Sequence, residues 1–471
     1  MGWKPSSILI SYLRLYCSTM VFSLSPPASV KGMTTLDRDK FTRVLEVPCL
    51  ELKNINQDEI MPIIKKFLLK LRRWKSVQKV DDSLIVYLNP EMVERMEDLS
   101  ERKRTFLSNY FHAIGKRKIT INYENWTAET ILGAVIPEDI GVPSSFTKIG
   151  HIVHVNLREN QLPFKRLIGE VYLDFVVQAK VVVNKLNNID TEFRNFSMEI
   201  LAGEGDTVTT VKENGCQFTL DFAKVYWNSR LSTEHARLLE YMNPRDVLYD
   251  VFAGVGPFAV PAARKGVTVL ANDLNPESYK WLKVNAQDNK VQGLSAFNKD
   301  GRDFLREDVK RHLLDRRRNN LYRPVHIAMN LPALAVEFLD VFRNWANDEE
   351  IKLIVRLPPL VHVYCFVKAG KSENVKVLAK ELVEQHIGTD LSLSSLRAIQ
   401  YVRNVAPNKE MMRVSFYLTG EIMKGERLEE PAVKRMRTDS GEIVGDNGEK
   451  QNGAGEDEEC IQSGEKIVVE K

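Results

Sequence analysis

The sequence predicts an α/β protein: a Rossmann-like domain in its second half, preceded by a small α+β middle domain and a small mixed N-terminal domain. Three observations predict it. From Val247 onward apolar strands (247–252, 267–272, 325–330 and 361–368) alternate with helical stretches, notably 276–289 and 373–387, the pattern of βαβ units that builds a parallel sheet. The first of these strands runs into a turn of small residues, Asp250-Val-Phe-Ala-Gly254-Val-Gly256-Pro-Phe258, and the second ends in an acid, Asp273. The chain then closes on a strand pair, 396–403 and 412–418, joined by a turn over 404–408, so the last strand is expected to enter antiparallel.

The elements before this domain follow in order. Residues 1–36 hold Lys4, Arg14 and Lys31 with no acid before Asp37, and Leu9, Ile10, Leu13 and Tyr16 share one helical face. This composition reads either as a mitochondrial transit peptide or as a disordered extension with Met33 as an alternative start. Residues 37–140 are expected to form the mixed domain: a β-rich run at 41–52, a helix over 59–74 and a strand over 83–88. The helix would bury Ile60, Ile63, Ile64, Phe67, Leu68 and Leu71 and present Lys65, Lys66, Lys70, Arg72, Arg73 and Lys75 on its other face. Such a face either follows a phosphate backbone or is simply solvated. Residues 141–235 make the middle domain, with strand-like runs at 151–156, 167–175, 181–183, 207–211 and 217–222. The Rossmann-like domain covers 236–424 and contains a basic run with Arg306, Lys310, Arg311, Arg316, Arg317, Arg318 and Arg323, read as a surface helix. Residues 425–471 are polar, Gly-rich and acidic and read as a disordered tail, in which 433–437 is either a weak nuclear import signal or neutral.

Charge is unevenly shared. The net charge is +3, yet residues 438–471 carry ten acidic and three basic residues, which leaves the rest of the chain at about +10. A body this basic suits a polyanionic partner. The five cysteines (Cys17, Cys49, Cys216, Cys365 and Cys460) are scattered without a C-x-x-C pair, which argues against a zinc site or disulfide framework and for a reducing compartment. No stretch is long and apolar enough to span a bilayer.

The 250–258 turn and Asp273 sit where a doubly wound sheet holds a nucleoside-bearing cofactor. The turn departs from the dinucleotide fingerprint, because Pro257 removes one of the N–H groups that a pyrophosphate needs at a helix start. That favours a cofactor without phosphates, and S-adenosylmethionine fits best. Gly254 and Gly256 let the backbone pass close to its methionine end. Asp273 can accept from both ribose hydroxyls or cap the following helix, a role Asn275 fills better. Asp300 stands where a third strand should end and can accept from an adenine amino group, or simply close a turn. The fourth strand ends in Asn330-Leu-Pro332-Ala333. A carboxamide there offers a donor and an acceptor to a planar amide edge. Where enzymes that methylate amino groups carry N-P-P-Y, this chain has Ala333 in place of the aromatic, so a different target nitrogen is expected.

With these residues goes a resemblance. The runs Gly150-His-Ile-Val-His-Val-Asn-Leu157, Arg194-Asn-Phe-Ser-Met-Glu-Ile-Leu-Ala-Gly203 and Val225-Tyr-Trp-Asn-Ser-Arg-Leu-Ser-Thr-Glu234-His235, with the 250–258 turn, Asn272–Pro276 and Asn330-Leu-Pro332, resemble the archaeal and eukaryotic tRNA (guanine-37-N1)-methyltransferases from about residue 40 to 420. The resemblance implies a Rossmann-like class I methyltransferase domain, a middle domain and an N-terminal domain that docks on the tRNA outer corner. It implies a monomer that methylates N1 of guanosine 37, beside the anticodon, and so supports reading-frame maintenance, in the mitochondrial matrix, cytoplasm and nucleus. It places Glu234 as general base, Arg194 as the cation near the guanine and Asn330 as the residue orienting the base. Tyr226, His235, Asp250, Gly254, Gly256, Asp273, Leu274, Asp300, Gly301 and Asn330 fall on the cofactor side. From the residues alone, Glu234 is equally an ordinary first-turn helix residue and Arg194 an ordinary ion-pair partner. A sister enzyme of wybutosine synthesis, an aminocarboxypropyl transferase, shares a similar catalytic domain; the Arg194 and Glu234 runs favour the methyltransferase.

Overall fold

The computed structural model describes residues 24–53, 57–143, 145–186, 198–370 and 373–425. Its first sheet is antiparallel, in the order β2-β3-β1-β4, from β1 (Arg43–Leu52), β2 (Val77–Val80), β3 (Ser83–Tyr87) and β4 (Gly115–Ile121). Residues 24–36, expected in the N-terminal extension, are already part of the folded body. Val30 is fully buried, Leu36 nearly so, and the Gly32 N–H donates to the Val135 carbonyl at 2.7 Å. Residues 1–23 lie outside the described residues, as do 426–471, which include all but the first residue of the expected tail.

The helix expected over 59–74 is shorter, Gln57–Ile64 followed by a 3-10 turn, Lys65–Phe67. The end of β3 wins the backbone that follows. Leu68 bridges Leu88, the Leu69 N–H donates to Tyr87 and the Asn89 N–H to Phe67. Of the apolar residues expected on its inner face, Ile60, Ile64 and Phe67 are buried, whereas Ile63, Leu68 and Leu71 are half-buried and Leu69 is buried instead.

The second sheet has the order β5-β6-β7-β8, from β5 (Thr147–Ile149), β6 (Ile152–Val155), β7 (Val181–Lys185) and β8 (Met198–Gly203). Here 167–175 is not a strand but part of the helix Lys165–Phe175. β6 and β7 are parallel, and parallel neighbours need a crossover. Leu167, Ile168, Val171 and Tyr172 recur at helical spacing and are all buried. A two-stranded ribbon follows, β9 (Val208–Glu213) and β10 (Cys216–Asp221).

The largest sheet has seven strands: β11 (Val247–Asp250), β12 (Thr268–Asn272), β13 (Leu294–Phe297), β14 (Val325–Met329), β15 (Leu360–Lys368), β16 (Leu396–Ala406) and β17 (Lys409–Tyr417). Their order is β13-β12-β11-β14-β15-β17-β16, with β17 antiparallel to both neighbours and the rest parallel. The closing turn is shorter than expected, because Asn404 and Ala406 still pair with Glu410 and Lys409, leaving only Pro407-Asn408 at the tip.

The core runs through the expected boundaries at 140 and 235. Val47 and Ile121 share a cluster with Leu167 and Leu201, and Ile152 and Phe218 share one with Leu248 and Phe258. The helix Pro276–Asp288 adds a polar link. The Asn285 carboxamide accepts from the Thr219 N–H and donates to the Val255 carbonyl, while Asn289 both accepts from and donates to the Gln217 backbone.

The basic run is helical from Gly301 to Arg318 with a π-helical turn, Phe304–Val309. It is not wholly solvated. Arg317 is 1% exposed, donates to the Leu357 carbonyl at 2.7 Å and lies over the Tyr322 ring. Burial pulls its guanidinium below the ordinary arginine range. Arg317→Ala should therefore cost about 2–4 kcal/mol of stability, through the cavity and the orphaned carbonyl. Arg318→Ala, at an exposed position, should stay within about 0.5 kcal/mol of wild type. Urea denaturation of both variants checks the contrast.

Candidate active site

Strand register gathers the candidate residues at one end of the large sheet. Asp250 pairs with Ala271 and Ala328, Asn272 with Phe297, and Met329 with Val363. The carboxyl ends of β11 to β14 therefore present Asp250, Asp273, Asp300 and Asn330 along one rim, the usual ligand crevice of an open α/β sheet.

The turn after β11 is fixed by backbone bonds to β12. The Ala253 N–H donates to the Asn272 carbonyl and the Gly254 N–H to Asp273 Oδ2, both at 2.8 Å. The two glycines do different work. At Gly254 (φ 55°) an added Cβ would meet nothing within 4 Å, whereas at Gly256 (φ 98°) it would lie 2.8 Å from both Leu282 and Val260. Gly254 thus borders open space, and Gly256 serves packing.

Asp273 also accepts from the Asn275 N–H at 3.0 Å, and the carboxylate keeps lone-pair capacity for a ligand hydroxyl. Burial raises its carboxyl, opposed by the N–H groups of Gly254 and Asn275 and by Ser278. Asp250 is fully buried and neither oxygen has a hydrogen-bond partner. Burial first, and then the Asp273 charge, push it up to about 8; the Phe252 N–H opposes the shift without meeting hydrogen-bond geometry. Asp300 accepts from the Arg302 N–H and caps the helix opened by Gly301, which lies against Phe252 and Phe338. Leu274 is 42% exposed on a loop held by the Asn298 side chain. Tyr226 is 57% exposed, its hydroxyl accepting from Asn228. His235 is buried, bonded to Glu213, and meets Phe258 of the turn edge-on. It reaches the cradle through that ring.

Glu234 lies in the helix Ser232–Leu239 and is 3% exposed. Its Oε2 accepts from Arg237 at 2.6 Å, and its Oε1 accepts from the Tyr364 hydroxyl at 3.0 Å and lies 3.2 Å from Arg413. Tyr364 in turn tilts against Phe258, with ring centroids 6.1 Å apart. Because Val363 pairs with Met329, Tyr364 stands level with Asn330, so Glu234 shares the rim with the strand ends. Asn330 Oδ1 is buried without a partner, an acceptor held in reserve. Arg194 lies outside the described residues.

Three residues around Glu234 escaped the sequence reading. Arg237 could have been found one helical turn beyond Glu234. Arg413 is the lone charge in Met411-Met-Arg-Val-Ser-Phe416, and a lone charge in an apolar strand asks for a buried counter-ion. Tyr364, in an apolar run, gave no such signal.

These residues fit S-adenosylmethionine: an open cradle at Gly254, a carboxylate at the second strand tip, and a buried, unpartnered carboxyl at Asp250 suited to a cationic ligand. Sheet and rim together define a class I, S-adenosylmethionine-dependent methyltransferase. Residues 209–352 match the family described as the TRM5/TYW2 methyltransferase domain, and residues 128–207 the TYW2 N-terminal domain. The chain is 48% identical to the tRNA (guanine(37)-N(1))-methyltransferase of Aedes aegypti over 403 residues, covering 85% of this chain and 70% of that protein. It is 43% identical to that of Drosophila melanogaster (92% and 95% covered) and 42% identical to that of Homo sapiens (88% and 83%). Among solved structures, Trm5b from Pyrococcus abyssi superposes with a TM-score of 0.56 at 22% identity, covering 79% of this chain and 99% of that one. The complex of aTrm5 and tRNALeu gives 0.54 at the same identity and coverage. The chain belongs to the tRNA (guanine(37)-N(1))-methyltransferase family.

The two glycines give a test. Gly254→Ala should lower S-adenosylmethionine affinity about tenfold or more, by setting a strained methyl group beside the ligand, at about 1 kcal/mol of fold stability. Gly256→Ala should cost more stability, about 1–3 kcal/mol, through its clash with Leu282 and Val260. Calorimetric titration and chemical unfolding on both variants separate the roles.

Proposed function

We propose that this chain transfers a methyl group from S-adenosylmethionine to N1 of guanosine 37 in tRNA. The observation that carries the reading is a buried carboxylate, Glu234, on the rim beside the cofactor turn and level with Asn330. Bound S-adenosylmethionine supplies an electrophilic methyl group; Asp250, Gly254 and Asp273 would hold it, with Tyr226, Leu274, Asp300 and Gly301 around them.

The chain's own residues must deal with a proton. Guanine N1 carries a hydrogen and its lone pair is delocalised, so the N1–H bond must break as the N1–methyl bond forms. Glu234 takes that proton, with its electron pair left on the ring. Arg237 shifts off Oε2 to make room. Charge building on O6 calls for a cation, the role assigned to Arg194. The unpartnered Asn330 Oδ1 accepts from the guanine amino group and fixes the base edge. Such an edge is reachable only when the base leaves its stack.

We further propose that the enzyme acts as a monomer, meeting the anticodon loop at the rim and the tRNA outer corner with its N-terminal layer, in the mitochondrial matrix, cytoplasm and nucleus. Exposed Lys65, Lys66, Lys70, Arg73 and Lys75 support the docking role, and the acid-free sequence of residues 1–23 supports the mitochondrial share. Residues 128–207 match a domain described for TYW2, so the decisive assay follows both carbon groups. A tRNA bearing unmodified G37 is incubated with S-adenosylmethionine labelled in the methyl or in the carboxypropyl carbons. Methyl label on N1 is expected; carboxypropyl label, or none, overturns the reading.

Glu234→Gln should slow single-turnover methylation by about 10²–10⁴-fold with cofactor affinity nearly intact. Replacing Lys65, Lys66 and Lys70 together by Glu should weaken tRNA binding, reduce the steepness of its salt dependence and leave thermal stability near wild type. Filter binding across a salt series reads this out.

A further inference from the structure

The carboxylate of Glu234 is held on two unequal sides. On the buried side its Oε1 meets Tyr364 of β15 and Arg413 of β17, two residues that pair directly across those strands. On the outer side its Oε2 meets Arg237, which is 34% exposed and belongs to the same helix. Arg413 is fully buried. None of its guanidinium nitrogens makes an aligned hydrogen bond, and its one ion-pair contact among the described residues is Glu234. Behind it lie the Tyr241 ring, 5.0 Å from the guanidinium carbon, and His362, which is stacked on His326 and kept neutral by burial. Among the described residues Glu234 is therefore Arg413's sole counter-charge.

We propose that Arg413 and Tyr364 are positioning residues for methyl transfer: they pin Glu234 Oε1 from the core side and leave Oε2, capped at rest by Arg237, as the oxygen that meets the guanine N1–H. The proposal rests on Glu234 being the base. Its chemistry suits the reaction. As the N1–methyl bond forms, the N1–H becomes strongly acidic. A carboxylate is then base enough, provided that it is aimed. Arg413 supplies the opposite charge and Tyr364 the hydrogen bond that aim it, while the partly exposed Arg237 can swing out when the base enters. Neither Arg413 nor Tyr364 needs to touch substrate.

The test is the pH dependence of single-turnover methylation of G37 tRNA, with saturating S-adenosylmethionine, on folded variants checked by circular dichroism. Removing a paired cation raises a carboxylate's pKa. Arg413→Met should thus move the acid limb of the profile up by about 1–3 pH units, and Arg413→Lys should leave it in place. Tyr364→Phe, which keeps the packing, should move it upward by less and lower the plateau rate. A merely structural role would change melting temperature without moving the limb. Acid limbs that coincide with wild type in Arg413→Met and Tyr364→Phe overturn the proposal, as does a Lys variant that titrates like Met. Should Arg413→Met not fold, Tyr364→Phe decides alone. Glu234→Gln is run alongside: wild-type rates there sink the base assignment itself, whereas a slow Glu234→Gln with unmoved limbs sinks only the role of Arg413 and Tyr364.

Discussion

A single buried carboxylate joins the parts of this catalytic domain that the chain keeps far apart. Glu234 precedes the large sheet in sequence, yet its partners lie on β15 and β17, at Tyr364 and Arg413. The bond between Tyr364 and Glu234 spans 130 residues. Taking a carboxylate and a guanidinium out of water is unfavourable unless each answers the other. The pairing therefore fixes where the helix Ser232–Leu239 can sit, and that helix also carries His235 onto Phe258 of the cofactor turn. Base, turn and strand ends share one rim because this ion pair admits few other arrangements.

The cofactor side follows a complementary logic. Around Glu234 every charge is answered, whereas Asp250 is left without a hydrogen bond and its carboxyl is raised towards neutrality. An unanswered buried acid is costly to a protein on its own, and the cost is offset when a cationic ligand arrives. Asp273 stands between these extremes, its oxygens half used by Gly254 and Asn275. The rim thus grades from a closed polar cluster at the base to an open one at the cofactor.

Most of the large sheet was legible because its strands are continuous apolar runs separated by amphipathic helices, a pattern set by burial on both faces. The glycine turn and Asp273 were legible because their chemistry is local. What failed was local pattern facing tertiary demand. The 167–175 run alternates well enough to pass for a strand, but the parallel β6–β7 pair requires a crossover. The helix over 59–74 was overrun because the end of β3 competed for its backbone. Glu234 was named through family resemblance; Arg237, one helical turn on, and Arg413, a lone charge in an apolar strand, left signals of a partner, whereas Tyr364, 130 residues away in an apolar run, left none. Arg317 was misjudged because a run of arginines hides which one points inward.

The asparagines of the helix Pro276–Asp288 and its cap have an effect beyond local satisfaction. An isolated two-stranded ribbon offers its outer rim of amides and carbonyls to any passing chain. Asn285 and Asn289 sit one helical turn apart and engage Thr219 and Gln217, alternate residues of β10, so their carboxamides imitate the strand that would otherwise add there. Lateral growth at the β10 edge of that ribbon is closed off by side chains alone, with no need for a third strand there.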